Sequence, residues 1–270
     1  MLKLNKKGQL GEFKKTTPKD VLYMVLPVLS ILCLLVAWYK VSSERPDLFP
    51  TMQATWDRLL LLFEKPIMRV SYWGHILASL KRVLTALAVA VVVGISFGTV
   101  IGWNKKLDSF FGSIFNLIRP IPPIAWIPLI TISFGIGEFP KILIVFIGAV
   151  MPVVINTRAG LASVEEVYLN VGTLFDANKR QMLWEVAMPC AIPAIVAGIK
   201  TATSTGWMVV LAAEMLGAKS GVGFLVSRGM DGSDMPLVLV AMITIGVIGA
   251  LLGVVTSYIE RLLCPWLRIK

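Results

Sequence analysis

Charged residues are scarce in this sequence. They make up 16% of its 270 residues, whereas 56% of the residues are hydrophobic, and the mean hydropathy is +0.78. A single globular core cannot bury that much apolar surface. The composition therefore excludes an ordinary soluble domain and predicts an all-α integral membrane protein.

Several kinds of chemistry lack the residues that they need. The sequence has one histidine, His75, and its three cysteines, Cys33, Cys190 and Cys264, lie far apart. This pattern indicates neither a disulfide framework nor a metal site. The apolar stretches hold no paired carboxylates, histidine cluster or Ser/Lys pair of the kind that a membrane-embedded enzyme uses. No GxxxxGK[ST] loop is present, so we expect no cofactor and no nucleotide hydrolysis on this chain.

Acidic residues are few compared with basic ones, and the formal net charge is +10. Membrane proteins keep lysine and arginine on the cytoplasmic side, where these residues set the orientation of the chain. We therefore attribute the charge to topology and predict membrane lipid, not nucleic acid, as its partner. The lysine-rich residues 1–20 are interpreted as a cytoplasmic tail.

Six apolar stretches are predicted membrane spans, and the first of them is long enough to cross about 30 Å of hydrocarbon as a helix. They are residues 21–39, 83–103, 110–135, 141–156, 190–213 and 236–259. Residues 40–80 form an amphipathic outer segment and residues 260–270 a second cytoplasmic tail. Six spans place both termini on the same side of the membrane, although basic residues between the first two spans make the charge asymmetry moderate.

Small and helix-breaking residues distinguish two of these spans. Gly94, Gly98 and Gly102 recur every four residues in the second span, which is typical of helices that pack closely in membranes. The third span holds Arg119 and four prolines. Disrupted backbone at this depth is tolerated where it is buried in protein or lines a wet cavity, so this span is a candidate solute pathway.

The polar stretch 165–193 interrupts the second half of the chain. Val167, Val171 and Leu174 fall at helical spacing. Asp176 or Asn178 can cap a second helix, and Asn178, with Gln181 three residues later, is typical of a capping box. We predict two short helices that form a docking surface for a partner protein.

This stretch resembles the cytoplasmic motif of ABC importer permeases. The motif reads Glu-Ala-Ala, three residues, Gly, nine residues, an aliphatic residue, one residue and Leu-Pro. Its spacing places the triplet on Asn170 to Gly172, the glycine on Asp176 and the end on Met188 and Pro189. The acidic residue and the glycine of the motif are replaced here by Asn170 and Asp176.

Other segments are similar to the nitrate/sulfonate/taurine branch of these permeases, over about residues 45–260. They are SLKRVL (79–84), RPIPPIAWIPLITISFGIGEFPKILI (119–144), NTRAGL (156–161) and GIKTATSTGWMVVLAAEMLG (198–217). The resemblance implies a six-helix, MetI-like type I importer permease in the bacterial inner membrane, with a five-helix core at 81–259 and coupling helices at 163–189.

The resemblance also implies partners. These are a second copy of the chain, two ATPase subunits that carry ATP and magnesium on the cytoplasmic side, and a soluble or lipid-anchored solute-binding protein outside. The implied coupling residues are Val167, Asn170, Val171, Gly172, Leu174, Phe175, Asp176, Lys179, Arg180 and Pro189.

Charged and aromatic residues within apolar sequence are candidates for the solute pathway, because an ionisable group in a span costs at least about 2.5–3.5 kcal/mol. These candidates are Arg119, Pro122, Pro123, Trp126, Trp207, Met208 and Glu214. Arg119 suits an anionic solute, but it also fits a residue that reaches lipid phosphates or pairs with Glu214 or Asp108. Glu214 fits a gate or a loop anchor equally well, and the Trp and Met residues fit plain packing.

The predicted function is the membrane subunit of an ATP-driven importer for a small anion of the nitrate, sulfonate or taurine type. The same machinery could instead carry a neutral or cationic vitamin or pyrimidine precursor. Two hypotheses of a different class are a stand-alone channel and a membrane-embedded enzyme.

Overall fold

The computed structural model describes residues 18–45 and 49–266, and these residues are helical almost throughout. The predicted tails therefore lie outside the described residues over positions 1–17 and 267–270. The helices are α1 (Pro18–Glu44), α2 (Met52–Glu64), α3 (Tyr72–Trp103), α4 (Lys105–Ile118), α5 (Ile127–Phe134), α6 (Glu138–Ala162), α7 (Glu166–Leu174), α8 (Lys179–Gln181), α9 (Met188–Met215), α10 (Val222–Asp231) and α11 (Met235–Leu263).

Within residues 18–45 and 49–266, five helical segments are long and apolar enough to cross a membrane, and a bent pair counted as one span brings the number to six. The predicted all-helical fold with six spans is therefore confirmed. Helix α1 belongs to one compact unit, Met1–Thr55, and the remaining spans belong to a second, Trp56–Lys270. Within the first unit, Trp38 Nε1 donates a hydrogen bond to the Pro50 carbonyl at 3.0 Å.

The bent pair is the proline-rich third span. Helix α4 ends at Ile118, and a 3₁₀ turn at Pro123–Trp126 leads into α5 after a bend of 83°. Prolines lack the amide hydrogen that would continue the helix, so the break falls where Pro120, Pro122 and Pro123 follow one another. The predicted irregularity of this span is confirmed.

Close contact between α3 and α6 depends on the predicted ridge of small residues. A Cβ atom built on Gly94 would lie 2.7 Å from Val153 Cβ, and one built on Gly98 would lie 2.7 Å from Thr157 Cβ. Gly102 likewise faces the backbone of Arg158. The backbones approach this closely only because the glycines have no side chain, as is common in membrane helix pairs.

Helices α6 and α9 meet in the same way. A Cβ atom on Gly160 would lie 2.7 Å from Ala194 Cβ, and one on Gly198 would lie 2.7 Å from Asn156 Cβ. Helix α6 thus contacts α3 along one face and α9 along another. These three helices are the frame on which the other elements of the second unit pack.

A buried ionic cluster joins the three helices at the end of the bundle opposite α7. Arg82 on α3 donates from Nη1 to Glu214 on α9 at 2.6 Å and from Nε to Glu138 on α6 at 2.6 Å. The side chains of Arg82 and Glu214 are only 4% and 0% exposed. Lys141 reaches Glu138 at 3.1 Å. The span predicted at 83–103 therefore starts earlier, at Tyr72, because Arg82 has a buried carboxylate partner, Glu214, within the bundle.

The same cluster caps the start of α10. The first amides of this helix, at Gly221, Val222 and Gly223, donate to His75 Nδ1, Ser79 Oγ and Glu214 Oε2 at 3.1, 2.9 and 3.0 Å. Gly221 has a φ of +122°, and a Cβ atom there would collide with the Glu214 carboxylate. Side chains of α3 and α9 therefore satisfy amides that a helix start leaves without an intrahelical partner.

We expect Gly98→Ala to lower thermal stability, because the added Cβ would overlap Thr157 and the Val154 carbonyl, and overpacking costs about 1–3 kcal/mol. Gly246→Ala on α11 is the matched control, since no atom lies within 4 Å of its built Cβ and alanine favours helix. The measurement is the melting temperature of each purified variant in detergent. Equal melting temperatures would contradict the close α3–α6 packing.

We expect Glu214→Ala to destabilise the chain strongly, since removing one partner of a buried ion pair costs about 3–5 kcal/mol. Glu260→Ala is the control. Glu260 pairs with Lys200 at 3.0 Å, and both side chains are partly exposed, so the loss should be no more than about 1 kcal/mol. Melting temperature and yield of inserted protein would be measured together. A similar loss in both variants would refute the anchoring role of Glu214.

Candidate functional site

The first candidate surface lies on α7 and the turn that follows it. Val167, Val171, Leu174 and Phe175 are all exposed, the last two at 85% and 81%. Their spacing places them on one side of the helix. These apolar side chains are therefore not used for packing the chain's own helix ends. They form an apolar patch available to another molecule, which we call the α7 patch.

The turn after α7 has the geometry that the motif requires. The amide of Ala177 donates to the Gly172 carbonyl at 3.0 Å, and that of Asp176 donates to the Thr173 carbonyl at 3.1 Å. This pair of bonds is a Schellman ending, in which the residue at the position of Asp176 is left-handed. Asp176 has a φ of +54°. The family's glycine is thus replaced by a residue that tolerates the same backbone conformation.

Gly172 is the buried member of the predicted coupling residues. A Cβ atom on it would lie 2.8 Å from both Sδ and Cε of Met182, so α7 packs closely against the next helical segment. A small residue is needed here because a larger side chain would overlap Met182. Asn170, Lys179 and Arg180 are exposed around this contact.

The second predicted helix of this stretch is part of a longer one. Asn178 and Gln181 form the predicted capping box, but the helix continues from Lys179 to Met215. Pro189 and Pro193 lie inside this helical run and do not end it. A π-helical segment, Met182–Ala187, precedes Pro189, and its wider turn accommodates a residue without an amide hydrogen.

The second candidate site is a cavity of about 290 Å³ beside the bend of the third span. Arg119, Pro123 and Trp126 line it, as predicted for the solute pathway. Pro122 begins the 3₁₀ turn next to it. The cavity is mostly apolar with a few polar groups, which is the usual character of a small-molecule site.

Three polar residues line the opposite wall of this cavity and were not among the residues predicted from the sequence. They are Asn156 on α6 and Thr201 and Thr205 on α9. The threonine hydroxyls bond to the carbonyls of Ala197 and Thr201, both at 3.0 Å. The signal was available, because the two threonines fall four residues apart and therefore on one face of a predicted span.

Arg119 differs from other basic residues of the bundle. Arg82, Lys141, Arg158 and Lys200 each pair with a carboxylate. Within residues 18–45 and 49–266, Arg119 has no such partner. Its two proposed partners are occupied, since Glu214 bonds to Arg82 and Asp108 bonds to Arg158.

The remaining predicted pathway residues lie outside the cavity. Glu214 is enclosed in the ionic cluster that caps α10. Trp207 is buried and donates from Nε1 to the Ile245 carbonyl at 3.1 Å, which is a packing role between α9 and α11. Met208 is exposed on the surface of the bundle. The structure therefore groups Arg119, Pro123 and Trp126 in one place and separates Glu214, Trp207 and Met208 from them.

Comparison with known proteins gives a consistent assignment. A family model described as binding-protein-dependent transport system inner membrane component matches residues 90–269. The chain is 32% identical over 247 residues to the taurine transport system permease protein TauC of Escherichia coli, covering 90% of each chain. It is 30% identical over 260 residues to the nitrate import permease protein NrtB of Synechocystis sp., covering 93% of this chain and 94% of NrtB.

A solved structure shares the fold. An inward-facing conformation of the MetNI methionine ABC transporter matches with a TM-score of 0.62 at 18% identity, over 69% of this chain and 93% of the other. The predicted MetI-like fold is therefore confirmed. The chain belongs to the family of inner membrane components of binding-protein-dependent transport systems, and it is a multi-pass permease subunit of an ABC importer, not an enzyme.

Proposed function

We propose that the chain forms the membrane pathway of an importer for a small anion, and that Arg119 binds this anion. The observation that carries the proposal is that Arg119 is the charged residue in the lining of the 290 Å³ cavity and that it has no carboxylate partner among the described residues. An ionisable residue within a membrane span is costly and marks a solute path by default.

The chemistry of the cavity fits a small oxoanion. A guanidinium group binds carboxylate, sulfonate or nitrate oxygens with two parallel hydrogen bonds. Asn156, Thr201 and Thr205 provide polar groups on the opposite wall. The names of the relatives TauC and NrtB specify taurine and nitrate, which carry such oxygens.

Transport requires an energy source outside this chain. We propose that two ATPase subunits, which carry ATP and magnesium, bind the α7 patch on the cytoplasmic side, and that both termini of the permease lie on that side. The exposed apolar patch supports a helix-in-groove contact, because an amphipathic helix binds a groove through side chains at this spacing. Lys179 and Arg180 supply basic groups at its edge. A homodimer and an external solute-binding protein complete the proposed assembly.

We expect Val171→Arg to abolish uptake, because a charge in the centre of the α7 patch would be desolvated in an ATPase groove. Thr173→Arg is the matched control, since Thr173 is also exposed on α7 but lies on the opposite side of the helix. Both variants should insert normally. The measurement is solute uptake together with the amount of ATPase that copurifies in mild detergent. Normal uptake by Val171→Arg, or equal losses in both variants, would contradict the coupling proposal.

We expect Arg119→Gln to reduce uptake of an anionic solute at least about tenfold, the effect of losing one charge-assisted hydrogen bond. Lys200→Gln removes a basic residue that already pairs with Glu260 and should transport nearly normally. Uptake of radiolabelled taurine and of nitrate would be measured in membrane vesicles that hold the complete transporter. Uptake by Arg119→Gln at the normal rate would contradict the proposed role of Arg119 in binding the anion.

A further inference from the structure

A second, smaller cavity lies next to the first and shares Arg119 and Ile155 with it. Its volume is about 40 Å³, and its wall includes Gly112 on α4 and Arg158 on α6. Arg158 lies about one turn before the end of α6, close to the start of α7. The small cavity therefore extends from Arg119 toward the end of the bundle that carries the α7 patch.

An ion pair controls the side chain of Arg158. Its guanidinium donates from Nη2 to Asp108 Oδ2 on α4 at 3.0 Å. The group lies over Gly112, where a Cβ atom would be 3.5 Å from the same nitrogen. Asp108 and Gly112 are four residues apart on α4, so one face of this helix supplies both the counter-ion and the space for Arg158.

The small cavity leaves little room for a solute. A volume of 40 Å³ is close to the roughly 30 Å³ that one water molecule occupies in the liquid. A sulfonate or nitrate group that leaves Arg119 in this direction meets the Arg158–Asp108 pair. The pair must open before the group can pass.

The pair is suited to opening because it is only partly buried. The side chains of Arg158 and Asp108 are 37% and 36% exposed, and ion pairs at such positions contribute little to stability. The buried Arg82–Glu214 pair at the opposite end has no such freedom, since a buried charge without its partner is strongly unfavourable.

We propose that Arg158 is a second anion-binding residue and that Asp108 competes with the anion for the Arg158 guanidinium. The Asp108 carboxylate pairs with Arg158 until the solute displaces it. This inference rests on the proposed anionic solute. The anion exchanges one guanidinium partner for another, from Arg119 to Arg158, and the return of Asp108 to Arg158 then releases the anion toward the α7 end. Because one carboxylate replaces one anion, Arg158 keeps a negative partner at each stage.

A charge swap separates this role from a purely structural ion pair. The double variant Asp108→Arg with Arg158→Asp keeps an opposite-charge pair between α4 and α6 but places a carboxylate where the anion must bind. We expect it to assemble with its ATPase and to transport radiolabelled taurine or nitrate at least about tenfold more slowly than the wild type. The matched control is Lys200→Glu with Glu260→Lys, which swaps a pair of similar exposure and should retain uptake.

Two single variants keep the test decisive if the swap does not assemble. Asp108→Asn leaves Arg158 free to retain the anion. The apparent KM and the maximal rate of uptake should therefore both fall severalfold. Taurine or nitrate inside the vesicles should also inhibit uptake more strongly. Unchanged kinetics in Asp108→Asn would overturn the proposal. Arg158→Lys keeps the charge and should transport better than Arg158→Gln, and equal rates in these two variants would also overturn it.

The failure of this inference is distinguishable from failure of the proposed function. Uptake that depends on Arg119 but returns to the wild-type rate in the Asp108/Arg158 swap would overturn the second anion site alone. Uptake that is insensitive to Arg119→Gln would overturn the anion-binding role of Arg119 in the proposed function, and the second site with it.

Discussion

The close approach of three helix backbones is the constraint on which the second unit of this chain depends. Helix α6 contacts α3 and α9 at glycines whose missing side chains leave room for Val153, Thr157, Ala194 and Asn156. In lipid no hydrophobic driving force pulls helices together, so dispersion contacts at short range must hold the frame. The bent third span, α10 and α11 take their positions from this frame.

Charge placement follows from the same packing. At one end of the frame, α3, α6 and α9 bring Arg82, Glu138 and Glu214 together, and the cluster also satisfies the first amides of α10. At the other end, α4 and α6 bring Asp108 to Arg158. Pairing of this kind lowers the cost of a charge among apolar helices. Among the described residues Arg119 has no carboxylate partner, and it lies directly before the prolines of the bend.

The stretch 165–193 shows which structural features the local sequence pattern predicts and which it does not. Its apolar spacing and its capping box indicate a short helix, a turn and a new helix start, and these are present. The end of the second helix is not visible locally. Proline normally breaks helices, yet Pro189 and Pro193 lie within a helical run. A π-helical segment precedes Pro189, and its wider turn accommodates a residue without an amide hydrogen. From the sequence, one can say only that Asp176 tolerates the left-handed region. That it adopts this conformation is decided by the turn.

The sequence by itself determined the membrane class, the all-helical fold, the irregular third span and the glycine ridge. These features depend on composition and on residues close together along the chain. The partners of charged residues were decided by tertiary structure alone. Arg82 and Glu214 are 132 positions apart, and Arg158 and Asp108 are 50 apart. No local pattern encodes which helices will meet, so only the packed bundle decides which charge is neutralised and which remains available to a solute.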